Sequence, residues 1–260
     1  MTCLLEARGL TRRFGGVVAL DNLDLAVVPN EIMGLIGPNG SGKTTFFNVV
    51  TGIYGAHGGS VTFDGADITR ASSPAVYHAG ISRTFQRSRL SLPLSIFDNI
   101  MIGNHKRLNQ GLWFNLIRRG EFKREFEGNY AAARTLIEVF EPQLAERMLE
   151  PVAGLPMIDR RRIEICRALI NQPKLLLLDE PLEGLAPIVV EELAAAIRRM
   201  TSEGANAFIL VEQHVEIALS LTQDALVLER GRIVHSGRST QLLADHATLD
   251  RLIGLRLTEA

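Results

Sequence analysis

The octet Gly37-Pro38-Asn39-Gly40-Ser41-Gly42-Lys43-Thr44, with Thr45 after it, constrains this chain more than any other feature. It follows the short apolar strand pattern of Glu31–Ile36 and opens onto Thr44–Thr51, which reads as a helix. The spacing G-x-x-x-x-G-K-[ST] between strand and helix is that of a phosphate-cradling loop. Glycines let consecutive backbone N–H groups approach anionic oxygens with no Cβ in the way. The helix that follows points its N-terminus at the same anion. In such a loop Lys43 places a point charge on the terminal phosphates, and the Thr44 hydroxyl offers Mg²⁺ a hard oxygen ligand.

The order of the remaining segments points to an α/β chain. Leu4–Ala7 and Leu23–Val28 read as strands, and Pro29-Asn30 marks a turn. Ser60–Phe63 before Asp64-Gly65 signals a hairpin, as do Ala225–Leu228 and Ile233–His235 around Arg230-Gly231. Helical periodicity dominates from roughly Arg87 to Ile170, with Ala133, Leu136, Ile137 and Phe140 on one face and Ile163, Cys166 and Ile170 on another. Leu175–Leu178 has the continuous apolar character of a strand buried on both faces. Pro187 opens a helix with the stripe Val190, Leu193, Ile197 and Met200, and Ala207–Val211 is the next strand.

This order predicts a mostly parallel sheet with helices packed on it. Residues 1–86 and 171–236 are expected to form the core, together with an N-terminal antiparallel β subdomain. Residues 87–170 are expected to form an inserted helical subdomain, and 237–260 a C-terminal helical extension.

Composition narrows the setting. The formal net charge is -1, which argues against a global pull toward nucleic acid. No apolar run approaches the length of a membrane span, and the start MTCLLEARGL has no secretory h-region. Cys3 and Cys166 lack metal-ligand spacing and fit a reduced, cytosolic chain better than a disulfide.

The strand Leu175–Leu178 runs into Asp179-Glu180 and then Pro181. Carboxylates at the C-terminal end of a parallel strand are placed where such sheets carry their functional groups. Asp179 is expected to hold Mg²⁺ through water, and Glu180 to act as general base on an attacking water. Alone, the pair also fits an ordinary acidic turn.

The loop, this acidic pair and Gln86 between them resemble the ATP-binding-cassette (ABC) family over nearly the whole chain. The resemblance implies a P-loop NTPase core binding ATP and Mg²⁺, with Thr44, Gln86 and Asp179 at the metal. It places Phe14, in Thr11-Arg12-Arg13-Phe14-Gly15-Gly16, where the family stacks an aromatic ring on adenine; the alternative is a core Phe. It places Gln86, in Arg83-Thr84-Phe85-Gln86, at the family's link to the helical subdomain. Finer features look like the ATPases of branched-chain amino-acid importers. Ile81–Gln86, Ser95–Asn99 and Asn104–Phe140 resemble one of the two ATPase types in those importers. Glu180–Pro187 and Leu210–His214 resemble the other.

The sequence departs from the family in two places. The signature Leu-Ser-x-Gly-Gln is replaced by Leu155-Pro156-Met157-Ile158-Asp159. The switch histidine's register falls on Gln213, with His214 one place later; both are candidates for the catalytic position. Arg160-Arg161-Arg162 after the signature is expected to be a solvated or subunit-facing patch rather than a nucleic-acid site. The expected partners are integral membrane permease subunits, a second and unlike ATPase subunit, and indirectly a solute-binding protein. The expected place is the cytoplasmic face of the membrane. A weakly hydrolysing regulatory subunit and a cassette of a soluble machine are the alternatives.

Overall fold

The computed structural model describes residues 3–86, 88–104, 119–183, 185, 187–202, 206–212 and 215–253. Gln213 and His214 lie outside the described residues, as do part of Asn104–Phe140 and the end of the C-terminal extension. The chain divides into two units. One comprises Met1–Arg83, Lys174–Gly184 and Arg198–Ala260, and the other Thr84–Pro173 and Leu185–Ile197.

In chain order the first unit begins with β1 (Leu5–Phe14), β2 (Val17–Val27), β3 (Ile32–Ile36) and helix α1 (Lys43–Val50). It continues with β4 (Gly58–Phe63), β5 (Ala66–Asp67), α2 (Ser73–Ala79) and β6 (Ile81–Arg83). Helices α3 (Ile96–Met101), α4 (Arg119–Phe140), α5 (Pro142–Glu146) and α6 (Met157–Leu169) belong to the second unit. Then come β7 (Leu175–Asp179), α7 (Pro187–Ser202), β8 (Ala207–Val211) and α8 (Val215–Leu221). The last elements are β9 (Asp224–Glu229), β10 (Arg232–Arg238), α9 (Ser239–Ala244) and α10 (His246–Ile253).

The first unit holds two sheets. An antiparallel sheet has the order β2-β1-β4-β5, and a six-stranded sheet the order β10-β9-β3-β8-β7-β6. In the latter every pairing is parallel except β9 with β10. The expected mostly parallel sheet is therefore present, edged by the β9–β10 hairpin. Strands β3, β7 and β8 are buried at every position, which is why they read as continuous apolar runs up to the Asp179 that ends β7. Alternation along β3 and β9 then sorts their side chains between two cores. Leu35, Leu226 and Leu228 join Phe46, Phe47 and Val50 of α1, along with Leu10, Leu23 and Phe63 of the antiparallel sheet. Ile36, Ala225 and Val227 instead pack with Val215, Ala218 and Leu219 of α8 and Leu242 of α9.

Both predicted hairpin turns have positive φ at their two central residues, 50° and 79° at Asp64-Gly65 and 46° and 81° at Arg230-Gly231. That is the twist-matched geometry that Asp-Gly favours, whereas Arg230 adopts it against the usual preference of a long side chain.

In the second unit, Phe97 of α3 meets Phe126 and Tyr130 of α4 with ring centroids 5.3 Å apart in each case. Helix α6 grips the segment that follows Thr84. Arg161 donates to the carbonyls of Phe85 (3.2 Å) and Gln86 (3.3 Å), Glu164 accepts from Arg89 N (2.9 Å), and Arg167 donates to Arg89 O (2.8 Å). Two of the three arginines, Arg161 and Arg162, are thus not solvated. The Arg161 and Arg162 side chains are only 10% and 9% exposed. Arg162 lies among Glu141 (2.7 Å), Asp159 (3.0 Å) and Glu192 (2.9 Å), and Arg161 pairs with Glu164 (3.0 Å). The carboxylates that neutralise the run stand one helical turn away or on other segments, where a scan for consecutive like charges does not see them.

No helix among the described residues is long and apolar enough to cross a membrane. Cys3 is exposed, Cys166 is buried, and both thiols are free.

Candidate functional site

The glycine-rich loop leaves β3 at Ile36 and enters α1 at Lys43. Two of its glycines are wedged against backbone. A Cβ on Gly37 would lie 2.1 Å from the carbonyl oxygen of Leu228, and one on Gly42 would lie 2.5 Å from that of Ala19. Gly40 differs: φ is 78°, and nothing stands within 4 Å of where its Cβ would be. The outer rim of the loop, Pro38-Asn39-Gly40, is exposed, and the space beside Gly40 is open.

The loop is held from below. Ser41 N donates to Pro38 O (3.1 Å), and Gly231 N donates to Ser41 O (2.8 Å). The Ser41 hydroxyl is buried and has no hydrogen-bond partner. Gly42 caps α1 without a side-chain hydrogen bond, and the first turn holds no acidic residue. The first N–H groups of a helix need acceptors, and here neither a capping side chain nor a carboxylate supplies one. An orphaned hydroxyl, an uncapped helix start and open space beside Gly40 fit a phosphate group.

Lys43 is buried, and its ammonium donates to Gly37 O (2.6 Å) and Pro38 O (3.0 Å). Burial lowers its pKa below the ordinary lysine value, opposed by the carboxylates of Glu180 and Asp179. The lysine of the loop and the acidic pair at the end of β7 therefore share one electrostatic neighbourhood. Thr44 is exposed and Thr45 half-buried on the first turn of α1.

Asp179 and Glu180 are both buried, at 3% and 6% exposure. Asp179 Oδ2 stands 2.5 Å from Arg83 Nη2, and each of the two side chains is 5% exposed. The same guanidinium donates to Asn48 Oδ1 (2.6 Å) and lies 5.2 Å over the ring of Phe47. Arg83 thereby joins the end of β6 to α1 and to the end of β7. None of the sequence motifs marks Arg83 itself. Its signal was an arginine closing an otherwise buried strand, a charge that needs a carboxylate.

Glu180 has φ 51°, left-handed for a residue with a side chain, and its N–H donates to Val211 O (2.9 Å). That conformation costs of the order of 1 kcal/mol or more, and such strain clusters at functional sites. Buried Glu212 accepts from Leu182 N (2.8 Å) and braces the turn after Glu180.

Phe14 is not a core residue. It is 40% exposed at the end of β1, opposite Val17, with its ring edge-on to Tyr54 at 5.3 Å. The first unit thus carries Phe14, the loop Gly37–Thr45, Asp179 and Glu180. Gln86 is exposed and belongs to the second unit. Also there is the start of α6, where Pro156 offers no side-chain cap, Met157 is 71% exposed, and Asp159 is held by Arg162.

A sequence model of the ABC transporter family matches residues 20–183. The chain is 34% identical to the high-affinity branched-chain amino acid transport ATP-binding protein BraF of Pseudomonas aeruginosa, over 92% of this chain and 93% of that one. It is 32% identical, over the same shares, to the high-affinity branched-chain amino acid transport ATP-binding protein LivG of Escherichia coli. Among solved structures, the ADP conformation of MJ1267, an ATP-binding cassette of an ABC transporter, superposes with a TM-score of 0.80. The two chains are 27% identical, covering 96% of this chain and 98% of that one.

Proposed function

The chain belongs to the ABC transporter family as an ATP-binding subunit, and on that premise we propose that it drives uptake of branched-chain amino acids or a related small solute. The observation that carries the reading is a glycine-rich loop whose buried Ser41 hydroxyl and uncapped helix start lack partners, with Lys43 buried at that helix start and held by the Gly37 and Pro38 carbonyls.

Residues Gly37–Thr45 cradle the phosphates of ATP, and Phe14 stacks on its base. Lys43 swings from the Gly37 and Pro38 carbonyls onto the β- and γ-phosphates, where a full charge has more to gain. The Thr44 hydroxyl would be an oxygen ligand suited to Mg²⁺ and Asp179 would hold the ion through water; bound there, Mg²⁺ would supply positive charge against the terminal phosphates. Glu180 orients a water toward the γ-phosphorus and takes its proton as the bond to the departing ADP oxygen breaks. Gln213 or His214 donates a hydrogen bond to the γ-phosphate.

The chain works at the cytoplasmic face of the membrane, docked on integral permease subunits that a solute-binding protein feeds. Nucleic acid is not a partner. The second ATPase is an unlike chain. Pro156 has no N–H to donate, Ile158 places a branched side chain near the helix start, and Asp159 is engaged by Arg162. A like pair would carry this helix start at both shared nucleotide sites, and an unlike pair at only one.

Two measurements test the reading. Lys43→Ala should abolish tight Mg-ATP binding in calorimetry, and unchanged affinity would overturn the phosphate assignment. Solubilised from its native membrane, the chain should co-purify with integral membrane subunits and a second ATPase. Recovery as a lone chain would overturn the transporter partners.

A further inference from the structure

Phe14 stands at an exposed hairpin tip, yet its ring is held on two sides. The Arg12 guanidinium lies 4.7 Å from the Phe14 centroid and 5.2 Å from that of Tyr54. The two rings meet edge to face, 75° apart. Arg12 is itself pinned by a bond from Nη1 to Gly55 O (2.7 Å). Its Nε is buried and has no hydrogen-bond partner. A buried donor without an acceptor is unfavourable. The two aromatic rings within cation–π range offset that loss.

The corner is tied to the phosphate loop through α1. Tyr54 N donates to Asn48 O (3.0 Å), on the helix that opens at Lys43. His57 N donates to Thr11 O (2.8 Å), and Arg13 N to His57 Nδ1 (3.2 Å), which fastens β1 to the segment following that helix. The tip beyond is open: nothing stands within 4 Å of the Cβ positions of Gly15 and Gly16.

We propose that Arg12 and Tyr54 build Phe14 into a rigid corner for the nucleotide base, with Arg12 a positioning residue packed against the ring. The inference rests on the reading of Phe14 as the base platform. Tyr54 blocks rotation at the edge, and Arg12 pins the ring through Gly55. The ring is therefore set before the nucleotide arrives, and less rotamer freedom is lost on binding. The cation also draws on the ring's negative face, which favours offset stacking of an electron-rich purine on the face that remains open.

The test is calorimetry on the full chain with two probes, Mg-ADP and inorganic pyrophosphate. Arg12→Gln should weaken Mg-ADP about three- to tenfold, in keeping with one cation–π contact, and leave pyrophosphate unchanged. Arg12→Lys, which keeps the charge, should recover part of the loss. With Phe14→Ala already present, Arg12→Gln should add nothing. Unchanged Mg-ADP affinity in Arg12→Gln, beside a clear loss in Phe14→Ala, overturns the proposal and leaves the base platform standing. No loss in Phe14→Ala overturns both. Equal losses for Mg-ADP and pyrophosphate in Arg12→Gln also overturn it, because Arg12 would then act on the loop or the fold rather than the base corner.

Discussion

Replacing Arg83 by Met tests the electrostatic hinge of the site. The substitution keeps an unbranched apolar stem beside Phe47 but deletes the bonds to Asp179 (2.5 Å) and Asn48 (2.6 Å). Both members of the ion pair are only 5% exposed, so water cannot replace the lost partner without opening the strand ends. Removing one side of a buried pair costs about 3–5 kcal/mol. Lys43 remains as a second cation acting on Asp179, which places the expected loss near the lower end, about 3 kcal/mol. At roughly 2–4 °C per kcal/mol for a chain of this size, the melting midpoint falls by about 6–12 °C. Urea unfolding followed by circular dichroism should show a lower midpoint with an unchanged slope. Two controls sharpen the assignment. Arg83→Met combined with Asp179→Leu should lose less than Arg83→Met alone, because no carboxylate is left behind. Mg²⁺ added without nucleotide should restore part of the single variant's stability if Asp179 is a metal ligand. A loss under about 1 kcal/mol, or a double variant no better than the single one, would refute the reasoning.

Four further outcomes follow from the same geometry. Glu180→Gln should leave ATP binding intact and slow turnover at least ~100-fold, as loss of a general base does; an equally active variant would mean another group activates the water. Gly37→Ala would set a Cβ 2.1 Å from Leu228 O, so the loop must move; we expect a loss of about 2 kcal/mol or more together with nucleotide affinity, and unchanged values for both would show that β9 yields freely. Burial raises the pKa of Glu31, so its contribution is most favourable below the unfolded carboxylate value and is lost as pH rises through the folded value. Glu31→Gln should therefore be the more stable protein at pH 7 and lose that advantage in acid, as urea midpoints across the range would reveal. Restoring the altered helix start with Pro156→Ser, Ile158→Gly and Asp159→Gln should raise the ATPase rate of the isolated chain, and brisk turnover before the change would remove the argument for an unlike partner.

Several parts of this protein are determined by residues close together in the chain. The loop Gly37–Thr45 is one, since its glycines answer to local backbone geometry and its lysine and threonine follow at fixed spacing. The buried strands are another: Leu175–Leu178 and Ala207–Val211 are apolar throughout because both faces of a parallel strand are covered. The dipeptide Asp64-Gly65 is a third, since Asp and Gly both tolerate the positive φ its turn requires. By contrast, β1 runs on to Phe14 through register shifts after Ala7, Leu10 and Arg12, and β2 begins as early as Val17. Bulges and the positive φ of Gly9 break the period-two pattern, so the apolar signal marks only the stretch near Leu4–Ala7. The partners of buried charge are just as invisible along the chain. Arg83 and Asp179 are brought side by side by the parallel pairing of β6 with β7, and Arg162 reaches carboxylates as distant as Glu141 and Glu192. Arg12 finds the ring of Tyr54 only because the hairpin is fastened to the segment after α1. Local spacing can specify a turn, a strand or a phosphate loop, because each is settled by neighbours in sequence. Which ion neutralises which depends on burial and strand order, and those come into being only when the chain has folded.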